Sequence, residues 1–140
     1  MILTSPLVPE LDVADLKASL AIYVGVFGFR VLAERPEDQF AYLDLEGAQL
    51  MVQQAAGPGR RFRTAPLEFP FGRGVNFQIK VADVDDLYRR VVSAGLTAVV
   101  PVEERWYRQG DIARGNRQCV VADPDGYLLR FFSDLGLRGA

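Results

Sequence analysis

One stretch of this 140-residue chain occurs twice, and that repeat restricts the fold more than any other feature of the sequence. The clearer copy runs Val75-Asn76-Phe77-Gln78-Ile79-Lys80-Val81-Ala82-Asp83-Val84 and on to Gly95. Its polar and apolar residues alternate as in a strand, a helix opens at Asp83, and a glycine closes it. The other copy is Leu11-Asp12-Val13-Ala14-Asp15-Leu16, running on to Phe27-Gly28-Phe29. The two Val-Ala-Asp triplets lie 81 − 13 = 68 residues apart, and the glycine stops 95 − 28 = 67 apart. Two copies are too few for a solenoid, so the pattern predicts one pseudo-symmetric domain of two equal halves. The first module covers about 6–56, a connection about 57–73, and the second module about 74–134.

Periodicity supplies the elements. Strands are expected at 7–13, 29–35, 40–45, 48–53, 75–82, 97–102, 104–108, 118–122 and 127–132, with helices at 15–27 and 84–94. Leu16, Leu20, Tyr23, Val24 and Phe27 share one face of the first helix, and Val84, Leu87, Tyr88, Val91 and Val92 one face of the second. Pro6 and Pro9 put the first strand at an edge. Gln109 to Arg117 reads as a polar loop. The connection 57–74 is rich in Gly, Pro and Arg but carries Phe62, Phe69 and Phe71. It is read first as a loop that packs its own aromatics, and alternatively as a lid.

Composition removes several functions. There is no histidine, which excludes a Ser-His-Asp triad, a Cys-His pair and a His-ligated metal. The net charge of −2 speaks against nucleic acid and anionic membranes and is compatible with a cationic ligand. A single cysteine, Cys119, cannot close an internal disulfide and fits a reducing cytoplasm. With no histidine to activate it, it is read as a buried, inert thiol. Asp123 and Asp125, in Asp123-Pro124-Asp125-Gly126, are read as turn formers.

Pro9-Glu10-Leu11-Asp12-Val13-Ala14-Asp15-Leu16, Ser19-Leu20-Ala21-Ile22-Tyr23, Phe27-Gly28-Phe29 and Ala122-Asp123-Pro124-Asp125-Gly126-Tyr127-Leu128-Leu129-Arg130-Phe131 resemble the vicinal-oxygen-chelate superfamily, and within it the bleomycin-resistance-protein group. The resemblance implies an α+β fold of two βαβββ modules, each a curved mixed sheet around a cleft, and a homodimer to which the arm Met1 to Leu7 contributes. Metal-dependent members place four ligands at symmetric positions, which fall here on Val8, Met51, Asn76 and Arg130. Valine cannot ligate, a thioether is too soft for the usual divalent ions, and a fixed guanidinium repels them. No metal and no other cofactor is therefore expected.

These four positions still face the cleft if the strands alternate as expected. Arg130 either bridges a carboxylate or contacts a ligand directly, and Asn76 has the same two readings. Trp106 and Tyr107 offer flat surfaces for stacking, or else pack in the core or an interface. Phe40, Tyr42, Phe62, Phe69 and Phe71 are candidates for an apolar wall. Glu103, with Glu10, Asp12, Asp38, Glu104 and Asp111, either favours a cationic drug or, as is commoner for any single acidic residue, belongs to the solvated surface. The leading expectation is a protein that sequesters a planar, cationic antibiotic, or a similar aromatic molecule, without altering it. The alternatives are a lyase or isomerase using Glu103, Glu104 or Tyr107 as base, and a structural dimer whose cleft is vestigial.

Overall fold

The computed structural model describes residues 4–140 and divides the chain into two compact units. Unit 1 comprises Met1–Phe71 with Pro124–Gly126, and unit 2 Gly72–Asp123 with Tyr127–Ala140. Unit 1 holds β1 (Glu10–Val13), α1 (Leu16–Gly25), β2 (Arg30–Arg35), a 3-10 turn (Pro36–Asp38), β3 (Phe40–Leu45) and β4 (Ala48–Gln54). Unit 2 holds β5 (Asn76–Lys80), α2 (Val84–Ser93), β6 (Ala98–Gln109), β7 (Ile112–Ala122) and β8 (Leu128–Gly139). The sheet orders are β1-β4-β3-β2 and β5-β8-β7-β6, each with one parallel pair, β1 on β4 and β5 on β8.

The two units repeat down to register. Glu10 stands opposite Met51 in the first sheet, and Gln78 opposite Arg130 in the second. Both helices open on the aspartate of the repeated triplet. Asp15 accepts the Ala18 N–H at 3.2 Å, and Asp83 that of Asp86 at 3.0 Å, which satisfies one otherwise orphaned donor at each helix start.

Each helix covers one face of its own sheet. Leu11, Val13, Tyr23, Phe27, Phe29, Leu43 and Val52 are buried in unit 1, and Ile79, Leu87, Val91, Cys119, Val121, Leu129 and Phe131 in unit 2. The expected helix faces need one revision. Val24 and Val92 are exposed, at 39% and 56%, and the buried stripe of α1 instead includes Ser19. A hydroxyl can occupy that inner position because the Asp125 carboxylate accepts from it, at 3.5 Å.

Three further differences have clear causes. The segments 97–102 and 104–108 form one strand, β6, since register shifts on either side of Val100 let it run through Pro101. The expected polar loop 109–117 is strand as well. A two-residue turn at Gly110-Asp111 pairs Gln109 with Ile112 and extends the β6–β7 hairpin. There are accordingly eight strands among the described residues where nine were expected. β1 begins at Glu10 rather than Leu7, although the Pro9 carbonyl still accepts the Met51 N–H at 2.8 Å. Of the arm Met1 to Leu7, residues 1–3 lie outside the described residues. Ser5 donates to the Gln49 side chain at 2.8 Å, and Leu7 is 80% exposed.

Candidate functional site

Residues paired across a sheet share a face, and alternate residues along a strand share one too. In unit 2 this sets Asn76, Gln78 and Lys80 of β5 on one face with Leu128, Arg130 and Phe132 of β8. Val120 is opposite Arg130 and Gln118 opposite Phe132 in β7, while Glu103 of β6 stands opposite Gln118. This face is turned away from α2, whose buried side chains meet the other set, Ile79, Leu129, Phe131, Cys119 and Val121. Asn76 and Gln78 are exposed and Arg130 is half-buried.

The hydrogen bonding on this face is incomplete. Gln118 donates to the Tyr107 hydroxyl oxygen at 2.8 Å and to the Glu103 carboxylate at 3.3 Å. Glu103 is also paired with Arg105 at 3.3 Å. Gln118 Oε1, Asn116 Oδ1 and Arg130 Nε, however, are buried without a hydrogen-bond partner. Among the described residues no carboxylate pairs with Arg130.

Trp106 belongs elsewhere. Its register partner is Gly115, and Arg117, a neighbour on the same face, reaches α2 through Asp85. Trp106 is therefore on the side of the hairpin opposite to Glu103, Tyr107 and Arg130. Its ring lies under the Arg138 guanidinium, 4.0 Å from the centroid, and over Gly115, where any Cβ would meet the ring at 2.7 Å. The expected pocket uniting Trp106 with Asn76 and Arg130 does not form on one face of this sheet, because Trp106 and Tyr107 are adjacent in a strand and must point apart.

In unit 1 the equivalent face carries Glu10, Asp12, Phe40, Tyr42, Asp44, Gln49, Met51 and Gln53. Here the polar groups are satisfied. Asp12, only 7% exposed, accepts from Arg63 Nε at 2.6 Å and from Gln53 Nε2 at 2.8 Å. Gln53 also donates to Glu10 at 2.9 Å. Asp44 pairs with Arg30 at 3.4 Å and accepts from Gln49, which in turn accepts the Tyr42 hydroxyl at 2.8 Å. Phe40 is buried, with the Arg35 guanidinium 3.9 Å from its ring centroid. Phe40, Tyr42 and Met51 are thus together, in a different unit from Asn76, Arg130, Glu103 and Tyr107.

The connection departs from the expected self-packing loop. Phe62 and Phe69 are 71% and 70% exposed, and Phe71 is half-buried. Its ordered anchors are arginines: Arg61 donates to the Gln54 and Asp38 carbonyls, and Arg63 to Asp12. Sequence reasoning passed over Arg63, Gln78 and Gln118. Gln78 could have been found, since it follows Asn76 by two in an alternating strand.

Cys119 is fully buried, and burial pushes its thiol up to about 11, which agrees with an inert thiol. Asp123 accepts the Tyr127 N–H at 2.9 Å, as a turn former should. Asp125 does more: it accepts the Ala14 N–H at 3.2 Å and the Ser19 hydroxyl, tying the turn Pro124–Gly126 into unit 1. Burial raises the pKa of its carboxyl, although those two hydrogen bonds act against the rise.

The four positions that would hold a metal carry no fitting donor set. Unit 1 supplies an aliphatic Val8 and the thioether of Met51, and unit 2 a lone amide and a guanidinium. Among the described residues no three His, Cys, Asp or Glu side chains are grouped to hold a metal ion. No described helix is long and apolar enough to cross a membrane.

Two βαβββ modules in repeat, with these faces, define the class of protein. Residues 8–131 match the Glyoxalase/Bleomycin resistance protein/Dioxygenase superfamily. The chain belongs to that family. It is 28% identical over 136 residues to the bleomycin resistance protein of Geobacillus stearothermophilus, covering 91% of this chain and 96% of that one. Among solved structures it is similar to TioX from Micromonospora sp. ML1, with a TM-score of 0.73, 28% identity, and coverage of 94% of this chain and 100% of that one. It also shares its fold with TnmS3, an antibiotic-binding protein from Streptomyces sp. CB03234, with a TM-score of 0.66, 19% identity, and coverage of 96% and 98%.

Proposed function

We propose that this chain is a metal-free binding protein of the bleomycin-resistance type, which sequesters a planar antibiotic or similar aromatic molecule without changing it chemically. The observation that carries this reading is the substitution at the family's ligand positions. Asn76 and Arg130 keep a polar, uncommitted pair on one face of unit 2, yet neither they nor Val8 and Met51 form a metal site. Fixed polar groups beside apolar side chains orient a ligand without reacting with it. The 28% identity to a bleomycin resistance protein supports the same reading.

The lyase or isomerase alternative needs a free base. Glu103 is held by Arg105 and Gln118, Glu104 by Arg117 at 3.6 Å, and the Tyr107 hydroxyl oxygen accepts from Gln118 at 2.8 Å, so the support favours binding. A cationic ligand draws less support than the acidic residues of the sequence suggest, because Asp12 and Asp44 are already answered by Arg63 and Arg30. We further propose a cytoplasmic homodimer in which the N-terminal arm contributes to the interface, on the strength of the lone cysteine and of Leu7, 80% exposed.

Calorimetry with a panel of planar antibiotics, bleomycin first, tests the reading, with mass spectrometry of the recovered ligand. Saturable binding and an unchanged ligand mass are expected. Turnover of any member of the panel would favour the enzyme, and absence of heat with all of them would remove the antibiotic. Light scattering should give twice 15.5 kDa, and a stable monomer would refute the dimer.

A further inference from the structure

On the unit 2 face, the nearest neighbours of Arg130 are Gln78 directly across, Val120 on the other side, Leu128 and Phe132 along its own strand, and Asn76, Lys80, Gln118 and Ala122 on the diagonals. None is acidic. The carboxylates that do share this face are engaged elsewhere: Glu103 with Arg105 and Gln118, and Asp134 with Arg114 at 2.9 Å and Lys80 at 3.8 Å. A guanidinium cannot give up its proton, and its buried Nε–H has no acceptor. An unanswered buried donor destabilises a fold, whereas it becomes an asset if something arrives to accept from it. The same face holds two amide oxygens, of Gln118 and Asn116, that lack a donor.

We infer that this face takes a planar aromatic molecule bearing an oxyanion, a carboxylate or its equivalent, held by the Arg130 fork with amide support from Asn76 and Gln78. The inference rests on the binding reading above and specifies its ligand. The chemistry suits it: a planar guanidinium carries parallel N–H groups that match the two oxygens of a carboxylate. Val120 and Leu128, both half-buried, flank the arginine and supply the apolar surface for a ring.

The test compares three probes of one shape by calorimetry: 2-naphthoate, the neutral 2-naphthamide and the cationic 2-naphthylmethylammonium. Each is titrated into the full chain, into Arg130→Met and into Arg130→Lys. The wild-type chain is expected to prefer naphthoate over naphthamide by about tenfold or more, with the ammonium weakest. In Arg130→Met the preference should vanish, and in Arg130→Lys, which keeps the charge but not the fork, it should fall between. The melting temperature of Arg130→Met should stay level or rise, because no protein carboxylate loses a partner. Rings that bind without preference for the anion, or a preference that survives in Arg130→Met, would overturn this inference and leave the binding reading standing. A drop of several degrees in Arg130→Met, with selectivity unchanged, would overturn it too, by assigning Arg130 to an ion pair within the protein. Failure of all three probes to bind at millimolar concentration would overturn the inference together with the planar-ligand reading.

Discussion

The two units share a backbone plan and differ in how their equivalent faces are finished. Glu10 opposite Met51 and Gln78 opposite Arg130 are the same register in each sheet. On the first face every aspartate has an answering group: Arg63 and Gln53 for Asp12, Arg30 and Gln49 for Asp44. On the second, Arg130 Nε, Gln118 Oε1 and Asn116 Oδ1 have none. A repeat thus preserves what the backbone requires, namely caps, turns and inward apolar residues, and leaves the exposed chemistry of each copy free to diverge. A face whose polar groups satisfy one another is a structural surface. One whose buried polar groups lack partners within the fold is where the proposed ligand is placed.

The largest test of this contrast uses two matched glycines. Gly47 and Gly126 each precede the last strand of their repeat and adopt nearly the same left-handed backbone, φ of 96° and 94°. A methyl at Gly47 meets nothing within 4 Å, whereas at Gly126 it meets Pro70, with Cα at 2.8 Å. Gly47→Ala should cost only the conformational strain, roughly 1–2 kcal/mol. Gly126→Ala should add a clash with main chain, for a total of roughly 2–4 kcal/mol. Denaturant unfolding reads both, and equal losses would mean that the connection is not packed on this turn.

Next come the two arginines. Arg63→Met strips Asp12, a nearly buried carboxylate, of its charged partner and should destabilise by roughly 1–3 kcal/mol. Arg130→Met should cost nothing. Were the two variants to lose similar stability, the distinction between a finished and an unfinished face would fail.

The smallest effect is one of pH, and it has opposite signs in the two units. Burial raises the pKa of Asp125, so its contribution to stability is full below the unfolded value of about 4 and is lost as pH rises through the native one. Asp125→Asn should therefore gain on the wild type as pH rises above about 4. Asp85 is lowered, chiefly by its hydrogen bonds to Arg117, at 2.9 to 3.1 Å. Its contribution is present above the unfolded value and is lost as pH falls through the native one. Asp85→Asn should match the wild type in strong acid and trail it slightly at pH 6, the pair being solvent-exposed and screened. Parallel pH profiles for the two variants would contradict these assignments.

Much of this was legible before any coordinates. The repeated Val-Ala-Asp triplet and glycine stop located both helices, because capping and helix termination are local chemistry written in adjacent residues. The alternation in 75–82 put Asn76 on the face away from the helix, since strand side follows from parity alone. What escaped was non-local. Nothing near Gln109 to Arg117 announces a strand, which exists because β6 and β8 flank it. Asp125 looks like a turn residue until Ala14 and Ser19, more than a hundred positions earlier, are found on its oxygens. Trp106 was misplaced for a simpler reason. It was grouped with Tyr107 by adjacency, which in a strand is a guarantee of opposite sides.

That position of Trp106 has a spectroscopic consequence. The chain has no other tryptophan, and this indole sits between a guanidinium and a glycine, on the side of its sheet that Arg130 does not share. Its emission will follow the state of the long β6–β7 hairpin: unwinding of that tip, or loss of Arg138, should shift it to the red. A molecule docking beside Arg130 can leave it unmoved. Silence of tryptophan fluorescence in a titration is then the signature of an intact hairpin, and occupancy has to be read from heat or from the ligand's own absorbance.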